Sequence, residues 1–178
     1  SGRASRAGGE GPQADASDPY RGLWELPRVG GDGPRGYSGM EVTLLGTSSG
    51  SPTFRRGVSC TALRLQQETW LFDVGEGANR QLMYTPWISL GRITKIFVTH
   101  MHGDHIFGLG SMICALANAR PKGEGRPLHI YGPEGLADYV RVTLSCSETC
   151  LPIPVLVHEM CGEAGRRRGG GGDGGGST

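Results

Sequence analysis

The chain has 178 residues, which is the size of about one domain, with 37% hydrophobic residues and a net charge of +1. The near-neutral charge gives no basic footprint for a nucleic acid, and no apolar stretch is long enough to span a membrane. Ten of the 32 glycines lie in residues 1–39 and nine in residues 162–178. We therefore expect a disordered N-terminal extension (1–39), a globular segment (40–161) and a disordered Gly-rich tail (162–178).

Alternating or apolar runs predict six strands in the globular segment, at 41–45, 58–66, 69–74, 95–99, 128–131 and 155–158. Helical spacing predicts helices at 79–84, 106–119 and 136–144. The strand at 95–99 (KIFVT) has an apolar centre, so we expect it to be buried on both faces. Strands come first and then alternate with helices. This order predicts a mixed α/β (α+β) layer with helices on one face of the sheet.

The five cysteines are an odd number in a chain without a secretory signal. This pattern predicts reduced thiols and an intracellular protein of the cytosol, the nucleus or both. Cys146 and Cys150 lack a second cysteine pair at zinc-finger spacing, so no structural zinc site is predicted there.

Three histidines and one aspartate fall within six residues, HMHGDH at 100–105, after the buried strand. In extended backbone, His100 and His102 point to the same side and can share one metal ion. Gly103 permits a turn, and Asp104 and His105 then begin the next helix, directed at a second metal. Imidazole and carboxylate groups are ligands that zinc prefers, and paired zinc ions with a bridging hydroxide supply a nucleophile for phosphoryl chemistry. The alternatives are an exposed loop with chance histidines or a structural zinc site.

The H-x-H-x-D-H pattern resembles the metallo-β-lactamase superfamily, and the flanking segments resemble the short form of ribonuclease Z (tRNase Z), the tRNA 3′-processing endonuclease. The matching segments are GTSSGSPTFRRG (46–57), WLFDVGEG (70–77), GRITKIFVTHMHGDHIFGL (91–109) and LHIYGP (128–133). The resemblance covers the N-terminal half of a typical member.

The resemblance implies a metallo-β-lactamase-like αββα sandwich, of which only the first half is present, and a homodimer in the complete protein. It implies that His100 and His102 bind the first of two zinc ions. Asp104 and His105 bind the second, with Asp104 also acting as the proton acceptor. Asp73 lies near the metals and orients a ligand histidine. A different interpretation makes Asp73 the N-cap of the following helix.

A complete site of this kind needs a further histidine on the first metal, and a bridging aspartate and another histidine on the second. Only His129 and His158 remain, and we interpret both as structural because they lie inside strand-like runs. We therefore expect a truncated isoform or a partial gene model, with weak metal binding, little activity alone and one uncovered sheet face.

By family, the predicted function is that of a zinc-dependent endoribonuclease that removes the 3′ trailer from precursor tRNA. One alternative is another hydrolase of the superfamily, arylsulfatase-like or thioesterase-like. The other is a non-catalytic fragment that pairs with full-length subunits.

Overall fold

A computed structural model describes residues 39–121, 123 and 125–160. The predictions for residues 1–38 and 161–178 lie outside these residues. The strands are β1 (Met40–Gly46), β2 (Cys60–Leu65), β3 (Thr69–Phe72), β4 (Ile93–Phe97), β5 (Leu128–Gly132) and β6 (Val155–Glu159). The α-helices are α1 (Ala78–Met83), α2 (Gly103–Ile106), α3 (Leu109–Asn118) and α4 (Leu136–Cys146), and a 3-10 turn spans Leu90–Arg92.

The six strands form one sheet in the order β1-β2-β3-β4-β5-β6. β1, β2 and β3 pair antiparallel, whereas β3, β4, β5 and β6 run parallel to one another. The helices lie in the connections between the parallel strands, as parallel crossovers require. The carboxyl ends of the parallel strands therefore meet at one edge of the sheet.

The face of the sheet that packs on the helices holds the hydrophobic core. A row of paired residues on this face runs through Ala62, Leu71, Ile96 and Ile130, each 0% exposed. On the helix side, Leu109, Met112 and Leu116 of α3 are also 0% exposed. Burying one such side chain stabilises the fold by roughly 1.5–3 kcal/mol.

The opposite face is an aromatic surface without a covering layer in the described part of the chain. Phe97 of β4 stacks on Phe72 and Tyr131, with ring centroids 5.1 and 5.0 Å apart. On β1, Val42 is 62% exposed and Leu44 is 65% exposed. The uncovered face is the one expected of half a sandwich. The prediction that the fourth strand is buried on both faces is wrong, because Phe97 is only half-buried on this side.

The single helix predicted at 106–119 is two helices, with the break at Gly108. The Gly108 N–H donates to the carbonyl of Val74 at 2.9 Å instead of continuing the helical ladder. A Cβ at this position would lie 2.2 Å from the Gly75 carbonyl oxygen, so only glycine allows this approach. The break therefore follows from a tertiary contact that helical periodicity does not register.

Among the described cysteines, Cys60, Cys114, Cys146 and Cys150 are free thiols, and Cys161 lies outside the described residues. Burial and the charge of Asp73 raise the pKa of the Cys60 thiol to about 12, so this group is an inert part of the core. None of the described helices is both long and apolar enough to cross a membrane.

Candidate metal centre

The HMHGDH segment lies at the edge of the sheet where the parallel strands end. It follows β4, and the next strand of the sheet, β3, ends directly before Asp73. The Asp73 N–H donates to the Phe97 carbonyl at 2.8 Å, which continues the parallel pairing beyond the two strands. Adjacent parallel strands thus deliver a carboxylate and a group of imidazoles to the same place, which is where ligand sites of such sheets form.

The three imidazoles of the segment lie against one another. The ring centroid of His100 is 4.6 Å from that of His102 and 4.0 Å from that of His105. His100 Nε2 and His102 Nδ1 are 3.1 Å apart. Two nitrogens bound to one tetrahedral zinc at about 2.0–2.1 Å would be separated by about 3.3 Å, so this pair is set to share an ion.

Asp104 and His105 form a second pair of donors. They lie on α2, where His105 Nε2 is 3.4 Å from Asp104 Oδ2. His105 Nδ1 is engaged by Asp73 Oδ2 at 2.7 Å, so Nε2 is the ring nitrogen left for a ligand. The four side chains thus lie as two adjacent pairs, and their role as metal ligands stays a prediction. No cluster of three or more candidate ligands that could hold one metal ion occurs among the described residues.

The carboxylate of Asp73 is buried, with 5% of the residue exposed, and it is surrounded by donors. In addition to His105, it accepts hydrogen bonds from the Thr99 N–H at 2.8 Å, from the Thr99 hydroxyl at 3.0 Å and from the Ser59 hydroxyl at 3.3 Å. Its φ of 58° lies in the left-handed region, a conformation that costs energy for a residue other than glycine and that clusters at functional sites. The alternative N-cap role is wrong, since the N-cap of α1 is Gly77.

The loop between β1 and β2 also reaches the site. The Gly50 N–H donates to Asp104 Oδ2 at 2.8 Å. This hydrogen bond lowers the pKa of the Asp104 carboxyl below its usual range, and the charges of His105 and His102 contribute to the same shift, whereas desolvation opposes it. A cavity of about 220 Å³ lies between the loop and the HMHGDH segment, lined by Gly46, Thr47, Ser48, Ser49, Ser59, Asp104 and His105.

Two glycines let these segments approach. A Cβ on Gly75 would lie 2.3 Å from the Asp104 carbonyl oxygen, and Gly108 packs on the Gly75 carbonyl from the other side. The loop that carries Asp73 can therefore lie directly against α2.

The two histidines outside the segment are in the strands where the sequence placed them. His129 lies on β5 and His158 on β6, with His129 Nδ1 and His158 Nε2 3.0 Å apart. Their partners are each other, and Tyr131 stacks on His158 at 4.5 Å. Sequence reasoning missed Thr99, Ser59 and Gly50 as neighbours of the site. The position of Thr99 directly before His100 was the available signal.

The described fold matches known proteins. The model of the family described as "Anti-Pycsar protein Apyc1" matches residues 40–145. The chain belongs to this family. It is 47% identical over 122 residues to zinc phosphodiesterase ELAC protein 1 of Mus musculus, covering 68% of this chain and 33% of that protein. Curated relatives named ribonuclease Z match over a similar stretch.

Solved structures agree with these relatives. The crystal structure of human tRNase Z, short form, is similar with a TM-score of 0.62 and 46% identity, over 66% of this chain and 44% of that one. The metallo-β-lactamase fold protein YhfI of Bacillus subtilis has a TM-score of 0.52 at 20% identity, over 67% of this chain and 47% of that one, which shows the fold alone. The predicted metallo-β-lactamase fold and the resemblance to ribonuclease Z are confirmed. The chain spans about a third of the length of the curated relatives it matches.

Proposed function

We propose that this chain supplies the first part of the active site of a zinc-dependent endoribonuclease that removes the 3′ trailer from precursor tRNA. The observation that carries the proposal is the division of His100, His102, Asp104 and His105 into two converging donor pairs, in a chain 47% identical to a zinc phosphodiesterase. The fold alone would not select this substrate, because one fold serves many reactions.

The donor set fits divalent metal ions. His100 and His102 would hold one ion and Asp104 and His105 the other, and imidazole nitrogen with carboxylate oxygen is a ligand set typical of zinc. Bound there, paired ions supply Lewis acidity, which lowers the pKa of water and stabilises negative charge on a phosphoryl oxygen. Zinc is proposed here on ligand chemistry and on the name of the mouse relative.

The residues of the chain have separate tasks in this proposal. Asp104 accepts a hydrogen bond from the Gly50 N–H, is ionised at neutral pH as a carboxylate ligand must be, and acts as the proton acceptor. Asp73 fixes the ring of His105 by accepting the proton of its Nδ1, which leaves Nε2 free for a metal.

Four donors are fewer than two closed metal sites need. We propose that the remaining ligands belong to the part of the longer relatives that this chain does not span. Zinc binding by this chain is therefore expected to be weak, and cleavage of tRNA by the chain alone is expected to be undetectable. We also propose that the complete protein is an intracellular homodimer, which sedimentation of that protein would test.

A chimera tests the proposed function most sharply. Residues 40–160 of this chain would replace the matching segment of human tRNase Z, short form, and cleavage of a 3′-extended precursor tRNA would be measured with zinc present. We expect 3′ trailer removal by the chimera and its loss in the Asp104→Ala chimera, with the His129→Ala chimera as the matched control. A chimera that folds, binds zinc and leaves the precursor intact would refute the assignment.

The similarities favour this substrate over the arylsulfatase-like and thioesterase-like alternatives. The same chimera assayed with an aryl sulfate and with a thioester separates them, because turnover of either in place of tRNA would support the alternative. The third possibility, a non-catalytic fragment that pairs with full-length subunits, predicts co-purification of the chain with such a subunit.

A further inference from the structure

Thr99 lies between the two pairs of candidate metal ligands and contacts one histidine of each pair. Its hydroxyl oxygen is 3.0 Å from each carboxylate oxygen of Asp73, 3.0 Å from His100 Nδ1 and 3.4 Å from His105 Nδ1. Its N–H donates to Asp73 Oδ1 at 2.8 Å, so both the backbone and the side chain of Thr99 are fixed to the same carboxylate.

The direction of these hydrogen bonds follows from the inventory of donors. A threonine hydroxyl carries a single proton, and an ionised carboxylate can only accept. With both Asp73 oxygens at 3.0 Å, the hydroxyl proton is directed to the carboxylate. In this arrangement the hydroxyl oxygen accepts from His100, and His100 Nδ1 carries the ring proton.

The tautomer of His100 decides which nitrogen can bind a metal. With the proton on Nδ1, the lone pair is on Nε2, the nitrogen that lies 3.1 Å from His102 Nδ1. Had Nε2 carried the proton, His100 would turn an N–H toward the place where the first ion is expected. A hydrogen bond to the remote ring nitrogen is the usual means by which a protein selects the ligand nitrogen of a histidine.

We infer that Thr99 is a positioning residue that extends the action of the Asp73 carboxylate to His100. Asp73 thereby fixes the tautomers of two ligand histidines, directly at His105 and through the Thr99 hydroxyl at His100. This inference rests on the proposed metal site, but its geometric part concerns the metal-free chain. One buried carboxylate thus serves both donor pairs, which explains why it lies between two neighbouring strand ends.

The first test measures the tautomers without metal. Long-range ¹H–¹⁵N spectra of the full chain at a pH where the histidines are neutral report which ring nitrogen carries the proton. We expect Nδ1–H on His100 and on His105. In Thr99→Val, His100 loses this preference and populates Nε2–H, while His105 keeps Nδ1–H. Thr99→Ser restores the pattern, and Thr43→Val, a remote strand substitution, leaves it intact. Nε2–H on His100 in the unmodified chain would overturn the inference, whether or not any variant folds.

The second test measures zinc affinity by calorimetry. Losing an outer hydrogen bond to a ligand histidine typically lowers metal affinity 10–100-fold, and we expect a loss of about 10-fold for Thr99→Val and less than about 2-fold for Thr99→Ser. Equal zinc affinity in Thr99→Val and the unmodified chain would contradict the inference. A chain that binds no zinc but shows Nδ1–H on His100 would contradict the proposed function and leave the tautomer assignment standing.

Discussion

Two pairs of histidines in this molecule bring ring nitrogens to nearly the same separation. His100 and His102 are 3.1 Å apart at the carboxyl edge of the sheet, and His129 and His158 are 3.0 Å apart on its uncovered face. The first pair is held by Thr99 and, through it, by Asp73. In the second pair, desolvation, followed by the charges of His158, Lys95 and Arg120, lowers the pKa of His129.

Convergence of two imidazoles is therefore not sufficient for a metal site. A ligand histidine almost always donates its other ring N–H to a carboxylate, a backbone carbonyl or water, which fixes its tautomer and orientation. His100 reaches such an acceptor through the Thr99 hydroxyl, which lies 3.0 Å from His100 Nδ1 and 3.0 Å from each carboxylate oxygen of Asp73. The face pair can satisfy itself by sharing one proton between neutral rings, which is a structural role.

The largest expected effect separates the two pairs directly. Replacing His100 and His102 by alanine should lower zinc affinity by on the order of 100-fold or more, because half of the donor set is lost. Replacing His129 and His158 in the same way should change it less than about 2-fold. Calorimetric titration of both double variants measures the contrast, and an equal loss in the two would show that the comparison is mistaken.

Removing the negative charge of Asp73, which is linked to His100 through Thr99, should have the next largest effect. Asp73→Asn keeps the shape of the side chain but replaces one acceptor oxygen by an amide that donates. Zinc affinity should fall about 10–100-fold. The buried donors around position 73 also lose an acceptor, so the melting temperature should fall too. Asp138→Asn, at an exposed position of α4, is the matched control. Unchanged zinc affinity in a folded Asp73→Asn chain would argue against the role of this carboxylate.

The approach of the Asp73 loop to α2 can be tested at Gly108. Gly108→Ala places a Cβ 2.2 Å from the Gly75 carbonyl oxygen and should destabilise the fold by roughly 1–3 kcal/mol. At Gly125 a Cβ meets no atom within 4 Å, so Gly125→Ala should be close to neutral. Urea unfolding of the two variants checks this. Equal stability would mean that the segments do not pack as described.

The smallest expected effect is on the pH dependence of stability, through His129 of the pair on the uncovered face of the sheet. The pKa of His129 is lowered in the folded chain by desolvation and by neighbouring cations, so the folded state binds its proton less readily than the unfolded state. The contribution of His129 to stability is therefore complete above the ordinary pKa of about 6.5 and declines as the pH falls below it. Melting curves from pH 8 to pH 5 should show this decline, and His129→Gln should make it shallower by less than about 4 °C. A steeper fall of the melting temperature in His129→Gln would show that His129 stabilises the fold at low pH, which is the opposite of this expectation.

Most of the fold could be predicted from the sequence. The six strands and the hairpin between β2 and β3 follow from local periodicity and turn spacing, and the structure confirms them. The break at Gly108 and the half-buried face of β4 could not be predicted from these patterns, because both depend on which distant segment packs there. The local sequence shows the spacing of apolar residues in an element, but it does not show which distant segments pack against that element.

The same limit applies to the site. The HMHGDH segment concentrates its donors in six residues, so the sequence alone indicates metal-binding chemistry there. The role of these residues as ligands stays a prediction. The first motif directed attention to Asp73. Thr99 and Gly50 gave no comparable signal, since a threonine and a glycine carry no distinctive chemistry until folding brings them to Asp73 and Asp104.

The most direct test of the central claim is a zinc titration of the chain followed by histidine side-chain ¹⁵N NMR, because the whole chain has only five histidines. We expect zinc to shift the ring signals of His100, His102 and His105 and to leave those of His129 and His158 in place. Shifts confined to His129 and His158, or no shift at all at millimolar zinc, would contradict it.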